Sequence, residues 1–533
     1  MHALAALTQP LTFPWRLRRF LADGSGLGRV PEDLRRALES RAARFVALAE
    51  RRIYARGDSP YRRLLEDAGC AFPDLRDLVG RHGLEGALGR LAEAGVYLSA
   101  AEAKGREPVV RGGLSFRVDP RALELARGGV ATESTGTSNR PQRTTSSFDW
   151  LAHQATAAGA FVLAHGLEAH RHAVFEPMLP GVAGMLYMVM LARLGIPCER
   201  WFARAIPFRH ALERAYFSLL SHELAAAGTW WGPGFGRPEP IGGDRLEVLV
   251  RWVADSRAGG RRTAIRTVAS NAARIATTAA ELGVSLDGLT FLSSGEPMTE
   301  AKRQTIERVG GRTTVLYGFE PGSIWAGQGC ANPVHGDEMH LSLNTLALVE
   351  HPHPVASGQG PVRPLLYTTL YESAGRLLLN VANGDYATLT ERDCGCAMHA
   401  LGLTLHLHHV RSYEKFTSEG LSYPIDDVVR ILETHLPAEF GGGPCDYQLI
   451  EEEVAGGRPC LTLRIDPRVG AVDEARVLDR LGGELGAADR NRWFMTEVWR
   501  AAGTFRVERR APHTSARGKT LPIRLRVGQA DRG

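Results

Sequence analysis

Between residues 149 and 330 the chain changes period repeatedly. NAARIATTAAELGVS carries apolar residues at helical spacing, and LTFLSSGEP is a short apolar run ending in a polar loop. TEAKRQTIERVGG returns to the helical period, and TTVLYGFEPG is a second apolar run ending in a loop. WLAHQATAAGAFVLAHGLEAH reads as a helix, and VFEPMLPGVAGMLYMVMLARLGI as strand, turn and helix. Helices alternating with apolar strands predict an α/β fold whose ligands sit in the loops at the strand ends.

The flanks differ. Residues 31–130 read mainly as helices, PEDLRRALESRAARFVALAERRIYARG and LEGALGRLAEAG among them. Residues 338–410 are strand-rich, and a compact αβ pattern resumes at 411. The expected division is therefore 1–130, a helical segment packed on the core; 131–410, the core; 411–526, a small αβ domain; and 527–533, a tail. A chain of 533 residues has ample material for these parts.

Composition excludes several classes. The balance of 64 basic and 59 acidic residues leaves a net charge of +5, too little over this length to argue for nucleic acid. The longest apolar stretch, GVAGMLYMVMLARLG (181–195), is too short to span a bilayer. Gln9, Pro10 and Pro14 interrupt the start where a signal peptide would be apolar. Seven scattered cysteines do not form a disulfide framework. The expectation is a cytoplasmic enzyme, monomeric or homodimeric, with no nucleic-acid or membrane partner. Arginine outnumbers lysine 60 to 4, so the lysines left (Lys104, Lys302, Lys415, Lys519) are candidates for work arginine cannot do.

The stretch TESTGTSNRPQR (132–143) crowds hydroxyls around one glycine. It is not a Walker A loop, because no lysine follows the glycine. Ser134, Thr135, Gly136, Thr137 and Ser138 suit a loop that grips phosphate through hydroxyl and backbone N–H groups; a solvated loop would look similar. Further along come LSSGEPM (292–298), VLYGFEPG (315–322), NVANGDYATL (380–389), RSYEKFTSEGLSYPIDDV (411–428) and PHTSARGKTLPIR (512–524).

Together and in this order, these segments resemble the adenylate-forming superfamily, in particular its phenylacetate–CoA ligase and LuxE-type acyl-protein synthetase branch. STGTSNRP is similar to the phosphate loop (S/T)(S/T)G(S/T)(S/T)GxP, with Asn139 at the second glycine. LYGFEPGS resembles YGx(S/T)E with Glu320 one position early. NGD ending at Asp385 resembles RTxD, and PHTSARGKTLPIR resembles PxTxxGKxxR. The resemblance implies a large multi-sheet α/β region followed by a small mobile C-terminal domain that swings near Arg411–Lys415. It implies ATP-dependent activation of a carboxylic acid as an acyl-AMP, then transfer to coenzyme A or another nucleophile. That acceptor could also be an amine or a separate carrier protein.

The resemblance also assigns roles. Residues 134–138 would hold the β- and γ-phosphates. Gly295, Glu296 and Pro297, with Tyr317 and Gly318, would frame adenine. Asp385 would accept both ribose hydroxyls, Glu320 would hold Mg²⁺, and Lys519 would bridge the carboxylate and the α-phosphate. The acid, aromatic or modestly aliphatic, would lie near Pro180, Gly181, Gly184, Ser270 and Asn271.

Cys394 and Cys396 form a C-x-C turn, and Cys330 and His335 follow the Tyr-Gly segment. Three thiolates and one imidazole would close a tetrahedral, structural zinc site, with His340 and His399 as rival ligands. HLHH (406–409) reads as strand alternation with His406 and His408 on one face. The rival functions are a catalytically lapsed nucleotide- or acyl-binding homologue and, more weakly, a zinc-dependent hydrolase using HLHH.

Overall fold

The computed structural model describes residues 15–24, 26–125, 130–133, 143–179, 181–204, 211–242, 245–319, 324–352, 363–412, 425–454, 458–486 and 505–526. The chain forms two compact units, each assembled from separate segments. One comprises residues 1–240, 264–266 and 314–417; the other comprises 241–263, 267–313 and 418–533.

The first unit opens with helices Val30–Glu39, Arg41–Ala49, Pro60–Asp67 and Phe72–Glu93. Their apolar residues, such as Leu34, Phe45, Leu65 and Leu88, are buried. After Glu93 the helical elements shorten to Ala100–Ala103 and a single turn at Pro120–Leu123. Val109–Arg111 and Leu114–Phe116 pair as an antiparallel hairpin rather than continuing the helical run. The two residues between them are Gly112 and Gly113, a pair that favours a tight turn over a helix.

The helix Phe148–Ala164 starts where Ser147 Oγ accepts the Trp150 N–H at 3.1 Å, an N-cap that satisfies one orphan donor. Strand Arg171–Pro177 runs parallel to Cys198–Arg204, and helix Ala183–Arg193 lies between them in sequence. That order is the parallel βαβ arrangement. The strand-rich part continues as an antiparallel series. Leu346–Glu350, Pro364–Thr369, Val381–Glu391, Leu405–Ser412, Met339–Leu341, Ile324–Gly329 and the strand ending at Phe319 are successive neighbours. Residues such as Leu366, Tyr367, Leu407 and Ala326 bury their side chains along it.

In the second unit, helix Ala269–Glu281 is followed by strand Leu289–Ser294 and helix Glu300–Glu307. Tyr447–Val454 and Arg458–Ile465 form an antiparallel pair, flanked in parallel by Ile523–Arg526 and Phe505–Arg509. Alternation on these strands places Tyr447, Leu449, Leu461, Leu463 and Ile465 in one core with Ile431, Leu432, Val477 and Leu481 from the helices. No helix among the described residues is long and apolar enough to cross a membrane.

Candidate functional site

Within the second unit, the loop leading to the last strand is folded onto the start of helix Ala269–Glu281. The loop first closes on itself: Ser515 N–H donates to Lys519 O at 2.9 Å, and Lys519 N–H donates to Ser515 Oγ at 3.1 Å. Gly518 adopts φ +90°, a left-handed backbone that favours glycine. Gln448 holds the loop base, accepting from His513 N at 2.7 Å and donating to Leu521 O at 2.8 Å.

Three residues of the helix hold the loop. Asn271 Nδ2 donates to Arg517 O at 3.1 Å. Arg274 Nη1 donates to Gly518 O at 3.0 Å, and its Nη2 donates to Thr514 Oγ1 at 3.2 Å and to Thr520 Oγ1. Ser270 Oγ accepts from Thr520 N at 3.2 Å. The same serine gives both its donors to Glu296: its N–H lies 2.7 Å from Oε1 and its hydroxyl 2.8 Å from Oε2. Ser270 thereby ties the Gly-Glu-Pro loop after strand Leu289–Ser294 to the loop that carries Lys519.

The result is a close approach. Gly295 adopts φ +81°, and a Cβ placed on it would lie 2.8 Å from Lys519 Cε and 3.2 Å from Nζ. The ammonium is therefore held against a strand-end loop. Ser270 and Asn271, expected beside the acid, both make hydrogen bonds in this docking, and Asn271 Oδ1 is buried without one among the described residues. Arg274 and Gln448, absent from the sequence expectations, share it.

A buried ion pair lies within electrostatic reach of Glu296 in the same loop. Lys302 Nζ lies 2.9 Å from Glu433 Oε1, with both side chains almost fully enclosed. Thr299 donates to the other carboxylate oxygen. Burial alone would depress the lysine, but Glu433 and Glu296 outweigh it and raise its pKa.

In the first unit, Tyr317 Oη donates to Asp385 Oδ2 at 2.7 Å, and Asn383 Nδ2 donates to that oxygen at 3.2 Å. Burial, and then the neighbouring carboxylate, push the phenol well above its ordinary pKa, so it stays a donor. Gly318 packs so that a Cβ would meet Ile324 O at 2.6 Å. Gly181 and Gly184 flank the turn after strand Arg171–Pro177, and a Cβ on Gly184 would meet Glu176 Cβ at 2.9 Å. Pro297 is exposed. Ser134, Thr135, Gly136, Thr137, Ser138, Pro180 and Glu320 lie outside the described residues.

The first unit also gathers sulfur and imidazole. Cys330, His340, Cys394 and His406 bring one donor atom each within 4.8 Å of one another. Cys396 Sγ lies 3.2 Å and Cys394 Sγ 3.6 Å from His340 Nε2. His340 Nδ1 donates to Leu403 O at 2.6 Å, which leaves Nε2 as the lone-pair nitrogen facing the sulfurs. The Cys330 thiol, and then His340, draw the Cys396 pKa well down, as a thiolate ligand requires. His406 is fully buried and neither of its ring nitrogens makes a hydrogen bond. Cys330, Cys394 and Cys396 thus meet, but His335 does not join them: it stacks on His408 with centroids 4.0 Å apart. Strand register decides the exchange, since Met339–Leu341 pairs with Leu405–Ser412 and sets His340 opposite His406. His399 instead faces Asp393 at 3.1 Å.

No family profile and no curated protein matches the chain. Several solved structures are similar to it. One is 2-hydroxyisobutyryl-CoA ligase in the postadenylation state with R3-HIB-AMP: 14% identity, 91% of this chain and 88% of that chain covered, TM-score 0.49. Another is an acyl-CoA synthetase (AMP-forming)/AMP-acid ligase II-like protein from Dyadobacter fermentans: 13% identity, 73% and 87% covered, TM-score 0.32. A third is the anthranilate CoA ligase AuaEII with anthranoyl-AMP: 12% identity, 73% and 65% covered, TM-score 0.44.

Proposed function

We propose that this chain is an AMP-forming ligase that activates a carboxylic acid with ATP and passes the acyl group to coenzyme A. The observation that carries the proposal is the docking of Lys519 on Gly295 through Ser270, Asn271 and Arg274. A compact cation held at a strand-end loop is what the joining of two anions needs. As the carboxylate oxygen attacks the α-phosphorus and the bond to pyrophosphate breaks, negative charge builds on the α-phosphate oxygens. Lys519 would neutralise it, with both reactants positioned beforehand.

Asp385, oriented by Tyr317 and Asn383, would accept the ribose hydroxyls, and Gly295, Glu296, Pro297 and Gly318 would frame the adenine. Ser134 to Ser138 would grip the departing phosphates. Glu320 would hold Mg²⁺, which supplies positive charge to phosphate oxygens. Pro180, Gly181 and Gly184 would border an aromatic or modest aliphatic acid. Residues 411–526 would act as a lid that delivers Lys519 for the first step. A thiol then attacks the acyl carbon and AMP leaves.

The thiolate cluster fits a structural zinc ion. A tetrahedral ion with sulfur at about 2.3 Å and nitrogen at about 2.05 Å separates the two donors by about 3.6 Å. The Cys394–His340 separation is 3.6 Å and the Cys396–His340 separation is 3.2 Å. Cys330, Cys394, Cys396 and His340 would be the ligands, with His406 beside them.

A panel of carboxylic acids assayed by ATP–pyrophosphate exchange tests the proposal. Acid-dependent exchange is expected; no exchange with any acid would favour the lapsed homologue.

A further inference from the structure

A second group of imidazoles lies in the first unit. His335, His408 and His409 bring their ring nitrogens within 4.8 Å of one another. His408 Nδ1 and His409 Nδ1 face each other at 3.2 Å. Two nitrogens bound at about 2.05 Å to a tetrahedral ion lie about 3.3 Å apart, so this pair already has the spacing of a chelate.

Thr390 favours an inward lone pair on His408, on whose ring His335 is stacked with centroids 4.0 Å apart. His408 Nε2 lies 3.5 Å from Thr390 Oγ1, which can accept its proton and leave Nδ1 as the ligand nitrogen. His409 holds φ +54°, in the left-handed region that non-glycine residues seldom occupy and that recurs at functional sites. Asp337 fixes that backbone, accepting the His409 N–H at 2.9 Å, and adds negative charge beside the rings. Arg411 lies 3.8 Å from the same carboxylate and holds it in place. His335 is partly exposed and His409 exposed, so ring rotation can close the third nitrogen onto an ion and leave a coordination position to water.

We propose that His335, His408 and His409 form an open, all-imidazole site for a divalent transition metal, separate from the thiolate cluster. Imidazole donors suit zinc, nickel, copper or cobalt rather than magnesium or calcium. The proposal stands independently of the ligase reading and of the zinc assignment.

The test uses untagged full-length protein, dialysed against chelator-free, metal-free buffer and then titrated calorimetrically with Ni²⁺. The wild type is expected to bind one Ni²⁺ per chain in a saturable step. His335→Ala and His409→Ala should each weaken that step by at least about tenfold. His222→Ala, on an exposed helix position, should leave it unchanged, as should Cys394→Ser if that variant folds. No saturable step in the wild type, or equal affinity in the His335 and His409 variants, would overturn the proposal.

Discussion

Lys519 lies against Gly295, its Cε 2.8 Å and its Nζ 3.2 Å from where a side chain at that glycine would begin. The loop lysine Lys519 and the strand-end glycine Gly295, more than two hundred residues apart, meet because the helix Ala269–Glu281 carries the residues that grip the lysine loop.

That grip is testable without touching the lysine. Arg274→Ala removes the guanidinium's bonds to Gly518, Thr514 and Thr520. Gly518→Ala forces a side chain into the Asn271 amide at φ +90°. Displacing the cation by an ångström should lower pyrophosphate exchange about 10- to 100-fold in both variants. Transfer of the acyl group from supplied acyl-adenylate to coenzyme A should fall much less. Equal losses in both half-reactions would argue against a role confined to adenylation.

The Lys302–Glu433 pair makes a different prediction. Both side chains are buried, so Lys302→Met alone strands a carboxylate and should destabilise the fold by about 3–5 kcal/mol. The double variant Lys302→Met/Glu433→Leu should recover most of that loss. Urea unfolding of the two variants provides the comparison, and a double variant no better than the single would refute the buried-charge account.

Metal content checks the thiolate cluster. Cys394→Ser/Cys396→Ser should lower bound zinc by about one equivalent per chain and lower the melting temperature, because ligand binding energy is also folding energy. Elemental analysis of purified protein supplies the readout. Undiminished zinc in that variant would place the ion elsewhere.

Acid should weaken the first unit through His172. The ring is fully buried, donates from Nε2 to Leu167 O at 2.8 Å and accepts from Tyr187 Oη at 3.0 Å. Burial lowers its pKa to about 4 from 6.5. Between those values the unfolded chain binds the proton and the folded chain does not, so stability is full above pH 6.5 and falls as pH drops toward 4. The loss amounts to about 3 kcal/mol at most. His172→Gln should lose less on acidification, narrowing its gap to the wild type in urea unfolding between pH 7 and pH 5. A gap that stays constant over that range would show that His172 is not the titrating group.

Legibility in the sequence followed the locality of each signal. The Gly-Glu-Pro loop and the Gly-Lys turn were readable because each is a short run of unusual residues whose backbone demands are local. Arg274 was not: one arginine on a helix, in a chain with 60, resembles a solvated side chain until the loop it holds is placed. The choice between His335 and His340 depended on the register of Met339–Leu341 against Leu405–Ser412, a non-local fact that spacing cannot supply. The hairpin around Gly112 was hidden by the strong helical period that precedes it. The α/β alternation was visible because period changes mark element types directly.

The central claim is that Lys519 supplies the positive charge for adenylate formation. Acid-dependent ATP–pyrophosphate exchange by Lys519→Ala tests it most directly. A fall of about a hundredfold or more, with wild-type unfolding behaviour, is the predicted result. Exchange at the wild-type rate in that variant would contradict the account.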